Sequence, residues 1–340
     1  MMTNWYEIPG SDNDVVVSSR VRLARNLAEY PFEPRLTPEQ GKAICEKAAA
    51  VFHEGWTYTD FSALSPVQRR SFGEKHLVSP EFAEKKTPCA LLSRGSVHIM
   101  ILEEDHLRIQ SIYPGLALDE AWHDAAEADA MLDAEADVAY SETYGYLTHC
   151  PTNLGTGMRA SVMLFLPAYT AAHGIQALSV QLSKIGLTIR GMYGEGTAAD
   201  GCLYQISNQV TLGITEEETI RKLETVVKQI VEKERQLRQR QDSETLADKT
   251  SRTLGILLYA RRMDSRELLN LYTTLRLGAS MKLLDGITPT LADRLLVESM
   301  PGTLTISENL EADGTIRDRV RADKIRQILA PAVEKRQNHE

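Results

Sequence analysis

Apolar and polar positions follow two different patterns along the chain. From about Val15 to Gly213, short apolar runs are separated by polar turns and mixed with helix-like segments. From Thr215 onward, nearly all apolar positions recur at the spacing of an α-helix. Strands joined partly by hairpins, with helices between them, are typical of an α+β fold with an antiparallel sheet. We therefore predict a mixed domain over residues 1–240 and a helical domain over residues 241–340.

Two capping boxes mark the starts of helices. At residues 37–40 a threonine can cap a helix and a glutamine can return the hydrogen bond, and the helix then continues to Phe52. Residues 215–218 repeat this arrangement at the start of a long charged helix that ends near Gln241. The C-terminal domain contains further helices, and its predicted breaks lie near Gly278, Gly286, residues 301–302 and Gly314.

Several apolar runs predict strands. Residues 97–102 form one of them, and three acidic residues separate it from a returning strand at residues 106–113. A further strand is predicted at residues 202–212. Residues 159–173 are instead predicted to form an apolar helix that ends at Gly174.

Composition and charge exclude several classes of protein. The 340 residues are enough for two domains, and 43% hydrophobic with 25% charged residues is usual for a globular protein. A net charge of −9 argues against a nucleic-acid or anionic-membrane binder, which would carry a basic surplus. No apolar run approaches the length of a membrane span, and no secretory signal is visible. The four cysteines lack the spacing of disulfides or zinc sites, so we expect free thiols and a location in a reducing cytoplasm.

The first candidate for chemistry is a pair of arginines that follows the apolar run at residues 15–17. Arg20 and Arg22 would project from the same face of a strand. Two guanidinium groups on one face repel each other unless an anion lies between them, and guanidinium is well suited to binding phosphate. A solvated basic edge strand is the alternative explanation of this pair.

The second candidate is the sequence EEDHLR at residues 103–108. Three clustered carboxylates can raise one another's pKa, so that one serves as a general base, or they can hold a cationic substrate. Arg108, on the returning strand, would again face an anion. An acidic turn exposed to solvent explains the same residues without any chemistry.

The third candidate is the loop CPTNLGTGMR at residues 150–159, which we predict to run into a helix N-terminus. Its small residues and two glycines would let backbone N–H groups approach an anion closely. Cys150 lies among polar and arginine residues that would lower the pKa of its thiol and favour the thiolate. A buried cysteine that acts only as a small apolar side chain is the alternative.

The fourth candidate is the glycine-rich segment at residues 189–197. Its three glycines imply a mobile loop, and Arg190 and Glu195 are its only charged residues. A loop with one cation and one anion could close over a nucleotide and a cationic acceptor together. A flexible surface loop without a function is the alternative.

These four segments, in this order and at this spacing, resemble the ATP:guanido phosphotransferases, or phosphagen kinases, which include creatine and arginine kinases. The resemblance covers most of the first 215 residues and implies a curved antiparallel sheet flanked by helices. It also implies ATP as a substrate, with Mg²⁺ carried by the nucleotide and no metal bound directly by the protein. The residues it implies for ATP binding are Ser18, Ser19, Arg20, Val21, Arg22, His76, Arg108, Arg159, Ala160, Ser161, Val162, Met163, Arg190, Gly191, Met192, Tyr193, Gly194 and Glu195.

The resemblance further implies three catalytic residues on the acceptor side. Glu104 matches the carboxylate that holds the guanidinium and acts as base, and Cys150 matches the thiolate that contacts it. Glu195 matches a second glutamate found in arginine kinases. Arginine is protonated at pH 7 and is a poor nucleophile until a proton leaves, so carboxylates and a thiolate around it would supply orientation, charge balance and a base. The arginines would then surround the transferred phosphoryl group.

Two features distinguish the chain from family members that act on small molecules. Those enzymes carry a helical domain ahead of the first arginine motif, which here begins at Ser18, so we expect an acceptor site open enough for a protein-borne arginine. The C-terminal domain carries RDRVRA at residues 317–322. Its Arg317, Asp318, Arg321 and Ala322 match a phosphoarginine-binding regulatory segment of the bacterial protein-arginine kinases, a branch of this family. A solvated helix surface with an Asp318–Arg321 pair is the alternative.

The resemblance to that branch implies transfer of the γ-phosphoryl group of ATP to arginine side chains of proteins, as a mark for Clp-dependent degradation in the bacterial stress response. It implies a zinc-binding activator, a heat-shock repressor and a Clp-type unfoldase as partners. A homodimer formed through the C-terminal domain follows from the same resemblance. Two alternatives stay open: a kinase for free arginine, and a catalytically silent adaptor that binds phosphoarginine.

Overall fold

The computed structural model describes residues 4–191, 200–310 and 314–337. The strands are β1 (Val16–Arg25), β2 (Thr57–Asp60), β3 (Ala90–Arg94), β4 (Val97–Ile101), β5 (Leu107–Pro114), β6 (Tyr140–Ser141), β7 (Gly145–Tyr146), β8 (Met158–Phe165), β9 (Leu187–Gly191) and β10 (Leu203–Asn208). The helices are α1 (Pro38–Val51), α2 (Pro66–Glu74), α3 (Pro80–Glu84), α4 (Leu118–Glu135), α5 (Pro167–Ala171), α6 (Ile175–Lys184), α7 (Glu216–Arg238), α8 (Ser243–Tyr259), α9 (Ser265–Ser280), α10 (Pro289–Glu298), α11 (Pro301–Ser307) and α12 (Gly314–Gln337).

Eight strands of the described ranges form one sheet in the order β2-β3-β4-β5-β1-β8-β10-β9. Every neighbouring pair is antiparallel, and β6 and β7 form a separate small hairpin. The helices that follow α7 belong to the C-terminal region. The architecture is therefore the α+β fold that the sequence predicts, with β1 and β8 near the centre of the sheet.

The two faces of the sheet have different surroundings. On one face, residues such as Val21 and Val162 belong to the main apolar core, together with residues of α1, α4, α6 and α7. On the opposite face, Ile112 of β5 and Met163 of β8 belong to a second core that includes α8, α9, α10 and α12. The C-terminal helices therefore pack against the side of the sheet that also carries the arginines of β1.

Both predicted capping boxes are present. Gln40 N donates to Thr37 Oγ1 at 3.3 Å, and Thr37 N donates to the Gln40 side chain at 2.9 Å. Thr215 and Glu218 make the same exchange at the start of α7. These contacts span only three residues, which is why the sequence alone predicts them.

The predicted helix at residues 159–173 is wrong, because residues 158–165 form strand β8. Its residues belong to the apolar cores on both faces of the sheet, so its apolar run has no clear period. Pro167 begins α5, whereas in the predicted helix it would stand in the interior and break a backbone hydrogen bond. The proline was the signal in the sequence against a continuous helix.

Gly278 is not a helix break, contrary to the prediction, but lies inside α9. A Cβ at this position would lie 2.6 Å from Cγ2 of Thr250 in α8, so glycine permits the close packing of these two helices. The other predicted breaks agree with the structure: Gly286 precedes α10, Pro301 begins α11 and Gly314 begins α12.

All four cysteines have free thiols, and Cys45 and Cys89 are buried. None of the helices in the described ranges is both long and apolar enough to cross a membrane.

Candidate active site

The register of the sheet brings the predicted arginines onto one face. Arg22 of β1 lies directly opposite Arg159 of β8. On the other side of β1, Ala24, which shares its face with Arg22, lies opposite Arg108 of β5. Because directly opposed residues of an antiparallel pair project to the same side, four arginines, counting Arg20, converge from three adjacent strands.

Arg190 extends this arginine face to the edge of the sheet. It lies opposite Gln205 of β10, which in turn lies opposite Met163 of β8. Met163 is four residues from Arg159 on the same strand, so the two share a face. The arginine face therefore draws on β1, β5, β8 and β9.

The arginine face has a surplus of positive charge. Within the described ranges, Arg20, Arg22 and Arg159 make no ion pair with a carboxylate, and Nε of Arg22 is buried without a hydrogen-bond partner. Burial, followed by the charges of Arg108 and Arg159, lowers the pKa of Arg20 to about 10. Burial, with the surrounding arginines, also lowers the pKa of Arg22. The lowered pKa values mean that the charged forms of Arg20 and Arg22 are destabilised at these positions. An anion bound between the two guanidinium groups would therefore stabilise the site.

Arg159, on the arginine face, is influenced by charges on both sides of the proposed reaction. Burial lowers the pKa of its guanidinium, and the charges of Arg190 and Arg108 act in the same direction. Cys150 and Glu104 act in the opposite direction. Glu104 also accepts from Arg108 Nη2 at 3.1 Å, so this acceptor-side carboxylate lies at the arginine face.

The remaining residues predicted to bind ATP on β1 and β8 divide between the two faces of the sheet. Those on the arginine face are Ser18, Ser161 and Met163. Those on the opposite face are Ser19, Val21, Ala160 and Val162. Ser19 Oγ donates to Gly115 O at 2.8 Å and accepts from Ala117 N at the start of α4. The side chains of this second group hold the strands in place and point away from the arginines.

His76 lies at one end of the arginine face. Its ring stacks on Trp5 with 5.4 Å between ring centroids, and Gln110 Nε2 donates to its carbonyl oxygen at 3.0 Å. Burial, and then the charge of Arg20, lower the pKa of His76 to about 4, so the imidazole is neutral near pH 7. A neutral planar ring beside a cationic face suits contact with an uncharged planar group.

The acidic turn between β4 and β5 contains two glutamates with different surroundings. Glu103 is buried and accepts hydrogen bonds from Ser79 Oγ at 2.6 Å and from Arg108 Nη1 at 2.7 Å. Glu104 accepts from Arg108 Nη2 at 3.1 Å, and its side chain is 39% exposed. Glu103 therefore orients Arg108, whereas Glu104 has carboxylate lone pairs available for a substrate.

Asp105 joins the acidic turn to the cysteine loop. Its Oδ1 accepts from Asn26 Nδ2 and from His149 N, both at 2.7 Å, and its Oδ2 is buried without a partner. Asn26 Oδ1 accepts from His106 N at 2.9 Å, so the asparagine also holds the end of the turn. His106 accepts from Leu27 N at its Nδ1, which leaves Nε2 to donate to Pro31 O. These contacts make the turn a rigid support for Glu104.

Cys150 lies at the start of the loop that precedes β8 and is partly exposed. Its Sγ is 3.0 Å from Thr152 Oγ1. The Thr148 hydroxyl donates to Cys150 O at 2.8 Å, which holds the backbone at the cysteine. The thiol is therefore partly accessible, and the alternative of a buried apolar cysteine does not apply.

The two glycines of this loop serve packing and not an anion site at a helix N-terminus, contrary to the prediction. The loop enters strand β8, and Thr156 N donates to Thr211 O. A Cβ at Gly155 would lie 2.1 Å from Thr211 O, and one at Gly157 would lie 2.7 Å from Nη1 of Arg25. Both glycines also have positive φ, so they permit the close approach of neighbouring backbone.

The segment at residues 317–322 lies in the first part of α12, and Arg321 in it is fully buried. Its Nε donates to Ser299 O at 2.9 Å, and its Nη1 donates to Met263 O at 2.7 Å and to Asp318 Oδ1 at 2.6 Å. The predicted Asp318–Arg321 pair is therefore present, but it does not lie on a solvated surface.

Two guanidinium atoms of this segment have no partner among the described residues. Nη2 of Arg321 and Nε of Arg317 are both buried without a hydrogen bond. Ala322, which follows Arg321, is buried and packs in the C-terminal core. Unsatisfied cationic donors on neighbouring turns of one helix are suited to an anion.

Some predicted site residues lie outside the described part of the chain. These are Met192, Tyr193, Gly194 and Glu195. Gly191, at the end of β9, is described and pairs with Tyr204. Within the described ranges, no group of three or more histidine, cysteine or acidic residues could hold a metal ion.

The sequence did not single out several residues that hold the site together. Asp105 belongs to the acidic run at residues 103–105, and its position next to Glu104 in the sequence indicates a place in the site. Asn26, Gln110 and Trp5 carry no motif, and only the tertiary structure brings them to His106 and His76.

Comparisons with known proteins agree with this geometry. Residues 41–237 match the family described as ATP:guanido phosphotransferase, C-terminal catalytic domain. Residues 243–340 match the family described as Protein-arginine kinase McsB C-terminal domain. The chain is 43% identical to the protein-arginine kinase of Desulforamulus reducens, over 96% of this chain and 95% of the relative. It is 39% identical to that of Brevibacillus brevis, over 96% and 95%.

Solved structures show the same fold in other phosphotransferases. A crystal structure of lombricine kinase aligns with a TM-score of 0.57 and 25% identity, over 66% of this chain and 67% of that one. The duplicated taurocyamine kinase of Schistosoma mansoni with bound transition state analog components aligns with a TM-score of 0.61 and 24% identity. That alignment covers 79% of this chain and 41% of the duplicated protein.

Proposed function

Because this chain belongs to the ATP:guanido phosphotransferase family, we propose that it transfers the γ-phosphoryl group of ATP to arginine side chains of proteins. The observation that carries the proposal is the convergence of arginines on one face of the sheet, where Arg20, Arg22 and Arg159 make no ion pair among the described residues. Glu104 contacts Arg108 of this face, and Asp105 joins the acidic turn to the loop that carries Cys150. Relatives named protein-arginine kinase match 96% of the chain, including its C-terminal domain, and this favours a protein acceptor over free arginine.

The nucleotide phosphates lie on the arginine face in this proposal. Arg20, Arg22, Arg159 and Arg190 bind their oxygens, and the neutral ring of His76 contacts the nucleotide at one end of the face. Arg108 completes the set while Glu103 fixes its orientation. On the family resemblance, residues 191–195 also belong to the nucleotide site. Mg²⁺, carried by ATP as the family resemblance implies, neutralises phosphate charge.

The acceptor guanidinium lies between Glu104 and Cys150. Glu104 takes a proton from the guanidinium nitrogen, which then attacks the γ-phosphorus as the bond to the ADP oxygen breaks. The partial exposure of Glu104 supports this role, because its carboxylate can reach a substrate without losing the contact to Arg108. Cys150 orients the guanidinium and, as a thiolate, balances its charge, and no phosphocysteine forms. Glu195 is proposed as the second carboxylate of the acceptor site.

The C-terminal domain is proposed as a regulatory unit over residues 241–340, beside a catalytic unit over residues 1–240. The unpartnered donors of Arg317 and Arg321 support phosphoarginine binding at residues 317–322. On the family resemblance, we also propose a homodimer, a cytoplasmic location, and action with a zinc-binding activator, a heat-shock repressor and a Clp-type unfoldase in marking proteins for degradation.

The test is incubation with ATP and Mg²⁺ and either an unfolded arginine-rich protein or free arginine, followed by measurement of acid-labile phosphate. We expect phosphate on the protein, loss of that signal in Glu104→Ala, and wild-type behaviour of the exposed control Glu54→Ala. Rapid turnover of the free amino acid with none of the protein would favour a free-arginine kinase. Binding of phosphoarginine without any transfer would favour a silent adaptor.

A further inference from the structure

A carboxylate of the catalytic region caps a helix of the C-terminal domain. Glu74, the last residue of α2, accepts from Gly302 N at 2.9 Å, Thr303 N at 2.7 Å and Thr303 Oγ1 at 3.0 Å. These two residues follow Pro301 in the first turn of α11. The glutamate therefore joins two elements that lie more than 200 residues apart in the sequence.

Helix α11 has no cap of its own. Its N-cap residue, Met300, makes no side-chain capping hydrogen bond, so the backbone N–H groups of the first turn depend on another partner. Glu74 supplies that partner with both oxygens, and its negative charge also suits the positive end of a helix. A Cβ at Gly302 would lie 3.0 Å from Ser71 N and 3.1 Å from Glu74 Oε2, so glycine permits this close approach.

Glu74 is two residues from His76 of the proposed nucleotide site. The intervening Lys75 accepts at its carbonyl oxygen from Trp5 Nε1 at 2.8 Å, and Trp5 stacks on His76. His76 has a positive φ of 59°, a strained conformation for a residue other than glycine, which surrounding contacts must maintain. The end of α2 is held from one side by α11 and from the other by Gln110 of the sheet.

The other end of the contact is also anchored. Ser299, three residues before Gly302, accepts at its carbonyl oxygen from Arg321 Nε at 2.9 Å. Arg321 in turn donates to Met263 O, so the start of α11 is fixed to α12 and to the segment before α9. Glu74 therefore rests against a part of the C-terminal domain that is itself held firmly.

We propose that Glu74 is a positioning residue for the nucleotide site: through its cap on α11, the C-terminal domain holds the turn at residues 74–76 and keeps His76 beside Arg20. The inference rests on the proposed function only in taking this face of the sheet as the nucleotide site. Glu74 itself touches no substrate. Loss of the cap releases His76 and weakens nucleotide binding, while the arginines and Glu104 keep their geometry for the chemical step.

The test measures the Kd of ADP with Mg²⁺ by calorimetric titration, and KM and kcat for ATP with a protein substrate. Glu74→Ala should raise Kd and KM about five- to tenfold, as expected for the loss of roughly one good contact, and should leave kcat within about twofold. Glu74→Gln keeps one acceptor oxygen and should give an intermediate Kd. It also keeps the test usable if the alanine variant fails to fold.

A double-mutant cycle separates positioning from general stability. If Glu74 acts through His76, Glu74→Ala should add little to the Kd of a His76→Ala variant, whereas independent effects would multiply and overturn the proposal. Asp242→Ala removes an equivalent carboxylate cap from α8 and should lower stability without changing Kd. Arg70→Ala removes a 63% exposed arginine whose Nε donates to Glu74 Oε1, and it should also leave Kd unchanged, because the N–H groups of α11 still hold the carboxylate.

The positioning role of Glu74 and the proposed function would be contradicted by different results. A folded Glu74→Ala variant with wild-type Kd would overturn the positioning role, even if the protein phosphorylates arginine as proposed. A wild-type protein that binds ADP but phosphorylates no protein would overturn the proposed function, while the effect of Glu74→Ala on Kd would still decide the positioning role.

Discussion

Asp105 Oδ1 accepts a 2.7 Å hydrogen bond from the backbone N–H of His149, and this bond joins the acidic turn to the cysteine loop. Glu104 precedes the aspartate and Cys150 follows the histidine, so the two proposed acceptor-side residues are neighbours of the joined pair. The same oxygen accepts from Asn26 Nδ2. The distance between the Glu104 carboxylate and the Cys150 thiol therefore depends on the hydrogen bonds that Asp105 Oδ1 accepts.

We expect Asp105→Ala to lower kcat for phosphoryl transfer to a protein by about 10- to 100-fold, because a small displacement of catalytic groups is costly. KM for ATP should stay within about twofold, since the arginine face is not altered. Asp105→Asn retains an acceptor at Oδ1 and should recover most of the activity. Initial rates over a range of ATP concentrations measure both quantities, with the exposed Asp119→Ala as control. An asparagine variant as inactive as alanine would show that the charge, and not the hydrogen bond, is required.

Arg22→Ala should weaken ATP binding more than any change at an exposed arginine. Arg22 lies opposite Arg159 and its Nε has no protein partner, so its donors are available to a phosphate. Loss of one charge-assisted contact of this kind corresponds to about a 10- to 100-fold increase in Kd. Titration with ATP and Mg²⁺ measures this, and Arg252→Ala, at a 77% exposed side chain, serves as control. Equal affinities of the two variants would contradict a phosphate site on the arginine face.

The stability of the fold should fall in mild acid because of buried histidines. Burial lowers the pKa of His98 to about 4, from an ordinary value of 6.5, and the pKa of His76 is lowered in the same direction. Between pH 6.5 and 4 the unfolded chain therefore binds protons that the folded chain does not, and the free energy of unfolding decreases as the pH falls.

Replacing one such histidine should reduce this pH dependence. His98→Gln can keep the contact to Ser93 Oγ and removes one titrating group. The slope of the unfolding free energy against pH should decrease by about 1.4 kcal/mol per pH unit in the middle of that window. Urea unfolding at several pH values measures the slope. A slope equal to that of the wild type would mean that the folded protein also protonates His98.

The two arginines of the segment at residues 317–322 should behave differently on substitution. Arg321 is buried and donates to three oxygens, so Arg321→Ala should lower the free energy of unfolding by about 3 kcal/mol or more. Arg317 makes no ion pair among the described residues, so Arg317→Ala should reduce phosphoarginine affinity with less than about 1 kcal/mol of lost stability. Urea unfolding and titration with phosphoarginine separate the two quantities. A large loss of stability in Arg317→Ala would argue for a structural role of that residue as well.

Local chemistry made much of the fold and site readable in the sequence. The sequence identifies Thr37 and Thr215 as caps because a capping box is closed within three residues. It also predicts that Arg20 and Arg22 share one face, because side chains alternate along a strand. The two family matches and the relatives agree with the reaction class that the motifs predicted.

Only the tertiary structure decided which elements surround these motifs. β8 is a strand because β1 and β10 pair with its two edges, and an apolar run buried on both faces carries no period that distinguishes strand from helix. The roles of Gly155 and Glu74 depend on Thr211 and Gly302, which are distant in the sequence. Reactive groups and caps are encoded by residue type and short spacing. Their relative positions depend on contacts between distant segments, which no local pattern specifies.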